Sequence, residues 1–203
     1  MSEKKVDARG MLCPKPLIMV KRALTELGLG EQLTVLLDNE TAKENVTRFL
    51  QDNGANPVSS EDNGVFTIKA EKSRQEPPSA RVERHGGPED GSKPFVMVFN
   101  HCGMGSGSEE LGKILVQACL NAIKEVKPLP SSILFYNGGV RLACEGSPLI
   151  QPLEDLESRG VKILVCGTCL DYFELKPRMK VGKVSNLLEI LQTVASAGSV
   201  FNP

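Results

Sequence analysis

Thiol chemistry is the first thing this sequence offers, with six cysteines but only two histidines and no tryptophan among 203 residues. Cys13 opens the run Cys13-Pro14-Lys15-Pro16, directly ahead of Leu17, Val20, Leu24 and Leu27, which step by three and four as a buried helix face does. Pro14 suits the first helical position and Pro16 still falls in the first turn, where backbone N–H groups have no intrahelical partner. Both prolines therefore start the helix rather than break it. A cysteine at that end meets the positive pole of the helix dipole, which favours a thiolate, and Lys15 and Arg9 are the cations nearest in sequence. The competing reading is a small buried residue whose identity as cysteine is incidental.

The second constellation is Cys166-Gly167-Thr168-Cys169, which follows the apolar run VKILV. Reactive groups in parallel α/β sheets collect beyond the carboxyl ends of the strands. Two other apolar runs end at Asn100-His101-Cys102 and Tyr136-Asn137-Gly138, so adjacent parallel strands would bring Cys166, Cys169, His101 and Cys102 to one rim. One Cys-x-x-Cys pair lacks the further two ligands of structural zinc, which His101 and Cys102 would have to supply from neighbouring positions, and no metal site is expected. A redox dithiol is the runner-up, although LDYFELKPR is a weak helical sequence to follow such a motif. Two half-buried loop cysteines are the plain alternative. His101 to Ser108 has Gly-x-Gly-x-Gly spacing and no Gly-Lys-Ser/Thr, which argues against a nucleotide loop, though an anion at the helix start stays open. Cys119 reads as core beside Leu111, Leu115, Ala118 and Ala122, and Cys144 as a packing residue or a further visitor to the rim. No Ser/His/Asp or paired-carboxylate arrangement stands out.

These residues need two sets of elements to hold them. The first half reads βαβαββ: a strand in VDARG, the helix after Cys13 ending at Gly28, a strand QLTVLLD, and a helix over 39–53 burying Val46, Phe49 and Leu50. An Asn63-Gly64 turn then joins PVSS to VFTIKA. Two helices on one face of four strands make a two-layer sandwich. In the second half FVMVF, ILFY and VKILV alternate with helical patterns over 109–126 and 148–159. A last helix over 185–197 carries Leu187, Leu188, Leu191 and Val194, and SVF returns as an edge strand. That alternation predicts a mostly parallel sheet covered by helices, and the fold class overall is α/β.

Between the halves, residues 71–93 hold ten charged side chains, His85 and several prolines and glycines, with Ala80 and Val82 as the only apolar side chains. Such a segment cannot bury enough to order itself and reads as a flexible linker spanning about 25 Å, which divides the chain into 1–70, 71–93 and 94–203. A formal charge of −1 and 4% aromatic residues leave no electrostatic or stacking footprint for nucleic acid. No apolar run reaches the roughly 20 residues needed to cross a bilayer, and the N-terminus lacks a signal peptide, so a cytoplasmic protein is expected.

Val6 to Leu17, VDARGMLCPKPL, resembles the Cys-Pro-x-Pro signature of the TusA/SirA sulfur-carrier family over about residues 5–70. The resemblance implies that Cys13 carries a persulfide. GSGSEELGKIL, ILFYNGGV, LESRGVKILVCGTCL and VGKVSNLLEIL, in that order, resemble a DsrE-like domain in 94–203, in which Cys166 matches the persulfide-relay cysteine. The pairing of the two domains resembles the YedF family, linked to selenium metabolism. It implies a sulfur or selenium carrier acting through persulfide or selenosulfide on Cys13, with Cys166 and Cys169 as a second thiol station in a sulfurtransferase-like relay. No cofactor beyond the covalent cargo is implied. The partners implied are a donor such as a cysteine desulfurase or selenocysteine lyase, an unidentified acceptor protein, and further copies of the chain, since relatives self-associate. The resemblance assigns no role to His101 or Cys102. A thiol-disulfide oxidoreductase built on Cys166/Cys169, or a non-catalytic partner-binding protein, are the alternatives.

Overall fold

The computed structural model describes residues 3–11, 13–73 and 94–203, which fall into two compact units. The first contains β1 (Glu3–Asp7), α1 (Lys15–Glu26), β2 (Gln32–Leu37), α2 (Glu40–Asp52), β3 (Ala55–Asp62) and β4 (Val65–Lys72). Its sheet runs β1-β2-β4-β3, with β1 parallel to β2 and the other pairings antiparallel. Alternation along the strands turns Val6, Leu33, Val35, Leu37, Ile68 and Ala70 inward, where they are buried with Leu17, Val20 and Leu24 of α1 and with Val46 and Leu50 of α2. Asn39 caps α2 by accepting from the Ala42 N–H at 2.8 Å. Asn63 and Gly64 both take positive φ, the mirror-image turn that matches strand twist in a two-residue hairpin.

The βαβαββ sandwich is thus present, with three departures. β1 stops at Asp7, because Arg9 and Gly10 turn the chain. Phe49 is only half-buried, and Ala42 and Asn45 are buried in α2 alongside Val46 and Leu50. β4 continues through Lys72, whose register partner is Ala55, so Glu71 and Lys72 belong to the sheet rather than to the connecting segment. The rest of the expected linker, 74–93 with His85, lies outside the described residues.

The second unit contains β5 (Phe95–Phe99), α3 (Glu109–Ala122), β6 (Ser132–Phe135), α4 (Ile150–Ser158), β7 (Lys162–Cys166), α5 (Gly167–Tyr172), β8 (Lys183–Ser185), α6 (Leu187–Ser196) and β9 (Ser199–Phe201). The strand order is β8-β7-β6-β5-β9 and every pairing is parallel, with SVF at one edge as β9. Val96, Met97, Phe99, Ile133, Leu134, Phe135, Leu164 and Val165 are almost wholly buried, as strands covered on both faces require. β8 has no counterpart in the sequence reading, since three residues leave no period. Ser185 belongs to it, and α6 starts after Asn186, which accepts from the Glu189 N–H at 3.0 Å.

Two helices present a different face from the one their periodicity predicts. In α3 the buried residues are Gly112, Val116 and Leu120, while Leu111, Ile114 and Leu115 are 52, 58 and 39% exposed and Cys119 sits half-buried at the margin. The reason is a close approach: the Gly112 carbonyl accepts from the Met104 N–H at 3.0 Å, and a side chain on Gly112 would crowd that strand of backbone. Both sides of α3 are apolar, so the glycine contact decides which one turns inward. In α6 Ile190 is the buried residue and Leu191 faces outward.

Candidate functional site

In the first unit the chain leaves β1 through a turn that is tied to the end of β2. The Ala8 N–H donates to the Leu36 carbonyl at 2.9 Å, and the Gly10 N–H donates to Asp38 Oδ2 at 2.5 Å. Gly10 takes φ of +69°, which a side chain would oppose. This pinned turn delivers Cys13, half-buried, to the start of α1, where Pro14 is the cap residue rather than the first helical one and Pro16 follows within the first turn. No acidic side chain occupies that turn. Arg9, one of the cations nearest Cys13 in sequence, is engaged with Asp7. Its guanidinium grips Asp7 through two hydrogen bonds of 2.9 and 2.6 Å, and that contact lowers the Asp7 carboxyl to about 2. Lys15 is exposed.

In the second unit β5, β6 and β7 are adjacent and parallel, so their carboxyl ends form one rim, as expected. The centre of the rim is the turn after β6. Gly139 lies so close to β5 that a Cβ there would stand 2.2 Å from the Phe99 carbonyl oxygen, and the Tyr136 N–H donates to that same oxygen at 3.1 Å. Two thiols are held by this turn on consecutive residues. The Asn137 N–H donates to Cys169 Sγ at 3.1 Å, and the Cys102 thiol donates to the Gly138 carbonyl at 3.1 Å.

The four cysteines around this region differ in character. Cys166 ends β7 and is 3% exposed, whereas Cys169 is half-buried one turn later in α5. α5 begins inside the motif at Gly167 and ends at Tyr172, so only three helical residues follow Cys169. The Cys166 thiol hydrogen-bonds to Cys169, and with the Asn137 N–H it lowers the Cys169 thiol from an ordinary 9.0 to about 6 against the opposing effect of burial. Burial pushes the Cys102 thiol up, opposed by the Arg141 guanidinium, which stacks 4.4 Å above the Phe173 ring. Cys144 packs rather than visiting the rim: it is 2% exposed, donates to the Val140 carbonyl at 3.2 Å, and is likewise pushed up by burial. His101 Nε2 stands 3.3 Å from the Gly105 carbonyl oxygen and its Nδ1 is buried without a hydrogen-bond partner. Among the described residues no three His, Cys, Asp or Glu side chains gather as a metal ion would need. The start of α3 is poorly suited to an anion, because Glu109 and Glu110 fill its first turn and Ser108 already caps it.

Sequence reasoning placed Asn137 at a strand end without giving it a role, and missed Gly139 and Arg141. The Asn-Gly-Gly run after an apolar strand was the available signal, since two glycines there point to a backbone crossing too tight for side chains.

Residues 4–72 match the family described as Sulfurtransferase TusA, and residues 93–203 match the DsrE/DsrF-like family. A proposed sulfur carrier protein of Methanocaldococcus jannaschii is 44% identical over 59 residues, 29% of this chain and 79% of that one. The chain belongs to both families, one in each half. Proposed sulfur carrier proteins of Bacillus subtilis and Neisseria meningitidis are each 33% identical to it, over 63 and 69 residues, or 31 and 34% of this chain and 84 and 93% of theirs. Among solved structures, a SirA-like protein from Desulfitobacterium hafniense is 33% identical, covering 36% of this chain and all of that one with a TM-score of 0.33. The YchN protein of E. coli is 21% identical, covering 55 and 99%, with a TM-score of 0.42. Cys13 therefore belongs to the TusA half, and Cys102, Cys166 and Cys169 to the DsrE half.

Proposed function

We propose that the protein is a carrier that takes up sulfur or selenium as a persulfide or selenosulfide on Cys13 and exchanges it with the Cys166/Cys169 station. The observation that carries this reading is the presentation of Cys13, in a TusA-family domain, at the start of α1 by a turn anchored on Asp38. The donor is a protein that generates such cargo, of the cysteine desulfurase or selenocysteine lyase kind, and an acceptor protein takes it off. The pairing of TusA and DsrE halves fits a YedF-type architecture and, with it, a place in selenium metabolism in the cytoplasm. No described helix is long and apolar enough to cross a membrane. Self-association is part of the proposal, supported by the exposed stripe Leu111, Ile114 and Leu115 on α3 and tested by sedimentation velocity.

Intact mass and peptide mapping after incubation with each type of donor and its substrate tests the carrier role. Added sulfur or selenium on Cys13, and none in Cys13→Ser, is the expected result; unchanged loading of the N-terminal half of Cys13→Ser would remove the reading. A thiol-disulfide oxidoreductase is the second reading, favoured by the hydrogen-bonded pair with one thiol lowered to about 6. Turnover of a disulfide substrate that is lost in Cys169→Ser distinguishes it.

A further inference from the structure

Within the carrier reading, on which this inference rests, the motif offers two candidates for the attacking thiol, and resemblance to relay domains points to Cys166. The geometry points to the other: we infer that Cys169 is the sulfur-accepting nucleophile of the DsrE half and that Cys166 is a positioning residue whose S–H supports it. Access is the first ground. Cys166 is the last residue of β7, at 3% exposure within the core formed by Val165, Phe135 and Leu170, whereas Cys169 is half-buried on the rim. Direction of hydrogen bonding is the second. Cys169 Sγ accepts from the Asn137 N–H at 3.1 Å and is in hydrogen-bond contact with Cys166, and a backbone donor aimed at a sulfur on the rim is what a thiolate needs. By contrast, Cys102 and Cys144 act as donors, to the Gly138 and Val140 carbonyls.

The step is a displacement on a persulfide R–S–SH. The Cys169 thiolate attacks the terminal sulfur, the bond between the two sulfurs of R–S–SH breaks, and R leaves as its thiolate while Cys169 becomes the persulfide. No electrons are gained or lost overall, and Cys166 keeps its proton throughout. Once the Cys169 sulfur is bonded to a second sulfur its negative charge is gone from that atom, and the Cys166 and Asn137 donors are released from it.

A thiol lowered to about 6 is half thiolate at pH 6, against about one part in a thousand for an ordinary one at 9.0. Allowing for the lower intrinsic nucleophilicity of the more acidic thiol, it should alkylate about twentyfold faster at that pH. Pulse labelling of the reduced full chain with iodoacetamide across pH 5–9, read by peptide mapping, should place the fast thiol of the Cys166/Cys169 peptide at Cys169. Cys166→Ala should move its midpoint upward, and Cys166→Ser, which keeps a donor, should move it less. The second measurement loads Cys13→Ser full chain with sodium tetrasulfide, which hands one sulfur to a thiolate and leaves as trisulfide. One extra sulfur on Cys169, retained in Cys166→Ser, is expected. Extra sulfur on Cys166 with loading intact in Cys169→Ser, or no loading of either, overturns the inference. Because Cys13 is absent, this result stands apart from the carrier reading, which falls separately if sulfur bound at Cys13 never reaches a fully reactive Cys169.

Discussion

A thiol that titrates near 6 in the folded chain and near 9 when unfolded makes stability depend on pH, and the sign follows from linkage. The folded value is depressed, so the contribution of Cys169 is complete above about 9 and is lost as pH falls through about 6. Cys102, Cys119 and Cys144 act oppositely, because burial raises their folded values and their cost appears only above the ordinary 9.0. Under reducing conditions, urea unfolding should therefore show the C-terminal transition of the wild type strengthening between pH 6 and 8.5 relative to Cys169→Ser; a constant difference would contradict the assignment. At Cys13 the comparison is with Cys119, whose burial holds its thiol up. Iodoacetamide at pH 7.5 should label Cys13 well before Cys119, since Cys13 stands at the start of α1 whereas burial holds the Cys119 thiol up, and equal rates would remove the distinction.

Elements place these residues through a few contacts that a periodicity does not encode. Lys72 is buried at the end of β4 and its Nζ donates to the Leu24 and Leu27 carbonyls at 3.0 and 2.6 Å, closing the C-terminal end of α1 from 45 residues and more away. Lys72→Met removes both hydrogen bonds and should lower the N-terminal unfolding transition by about 2–3 kcal/mol while leaving the C-terminal one in place. Gly139→Ala would drive a Cβ to 2.2 Å from the Phe99 carbonyl oxygen, and the turn must move. It should cost about 2 kcal/mol or more in the C-terminal transition and, by withdrawing the Asn137 donor, raise the pH midpoint of Cys169 alkylation; an unmoved midpoint would show that the turn does not hold the thiol. The order of the elements other than α5 and β8 was legible because apolar strands, amphipathic helices and the Asn63-Gly64 turn are local signals. The rim was legible because strands alternating with helices run parallel, so their carboxyl ends lie on one side of the sheet. The faces of α3 and α6 were not, since each helix is apolar on more than one side and the Gly112 contact or the placement of Ile190 is a tertiary choice. Nor was the inequality of Cys166 and Cys169, which depends on Asn137, 32 residues away.

For the whole molecule the open quantity is whether cargo passes from the TusA half to the DsrE half of the same chain. Two thiol stations carried on one chain meet at an effective concentration that does not change when the protein is diluted. Transfer from Cys13 to Cys169 within one chain should then have a half-time that does not change between about 1 and 100 µM protein, whereas transfer between free chains should quicken in proportion to concentration. Loading the protein at Cys13, removing the donor and following the label by peptide mapping across that dilution series separates the two. Self-association would also remove the concentration dependence, so the companion measurement mixes loaded Cys169→Ser chains with Cys13→Ser chains. Label appearing on Cys169 of the second chain at the wild-type rate identifies transfer between copies; label confined to the first chain, with wild-type transfer unaffected by dilution, identifies transfer within one. Cys166→Ser should keep most of the wild-type rate and Cys169→Ser should stop it, because Cys166 is buried at the end of β7 whereas Cys169 is half-buried on the rim. If label leaves Cys13 equally fast in both variants with no acceptor added, the DsrE half is a docking module and the second station is lost from the mechanism.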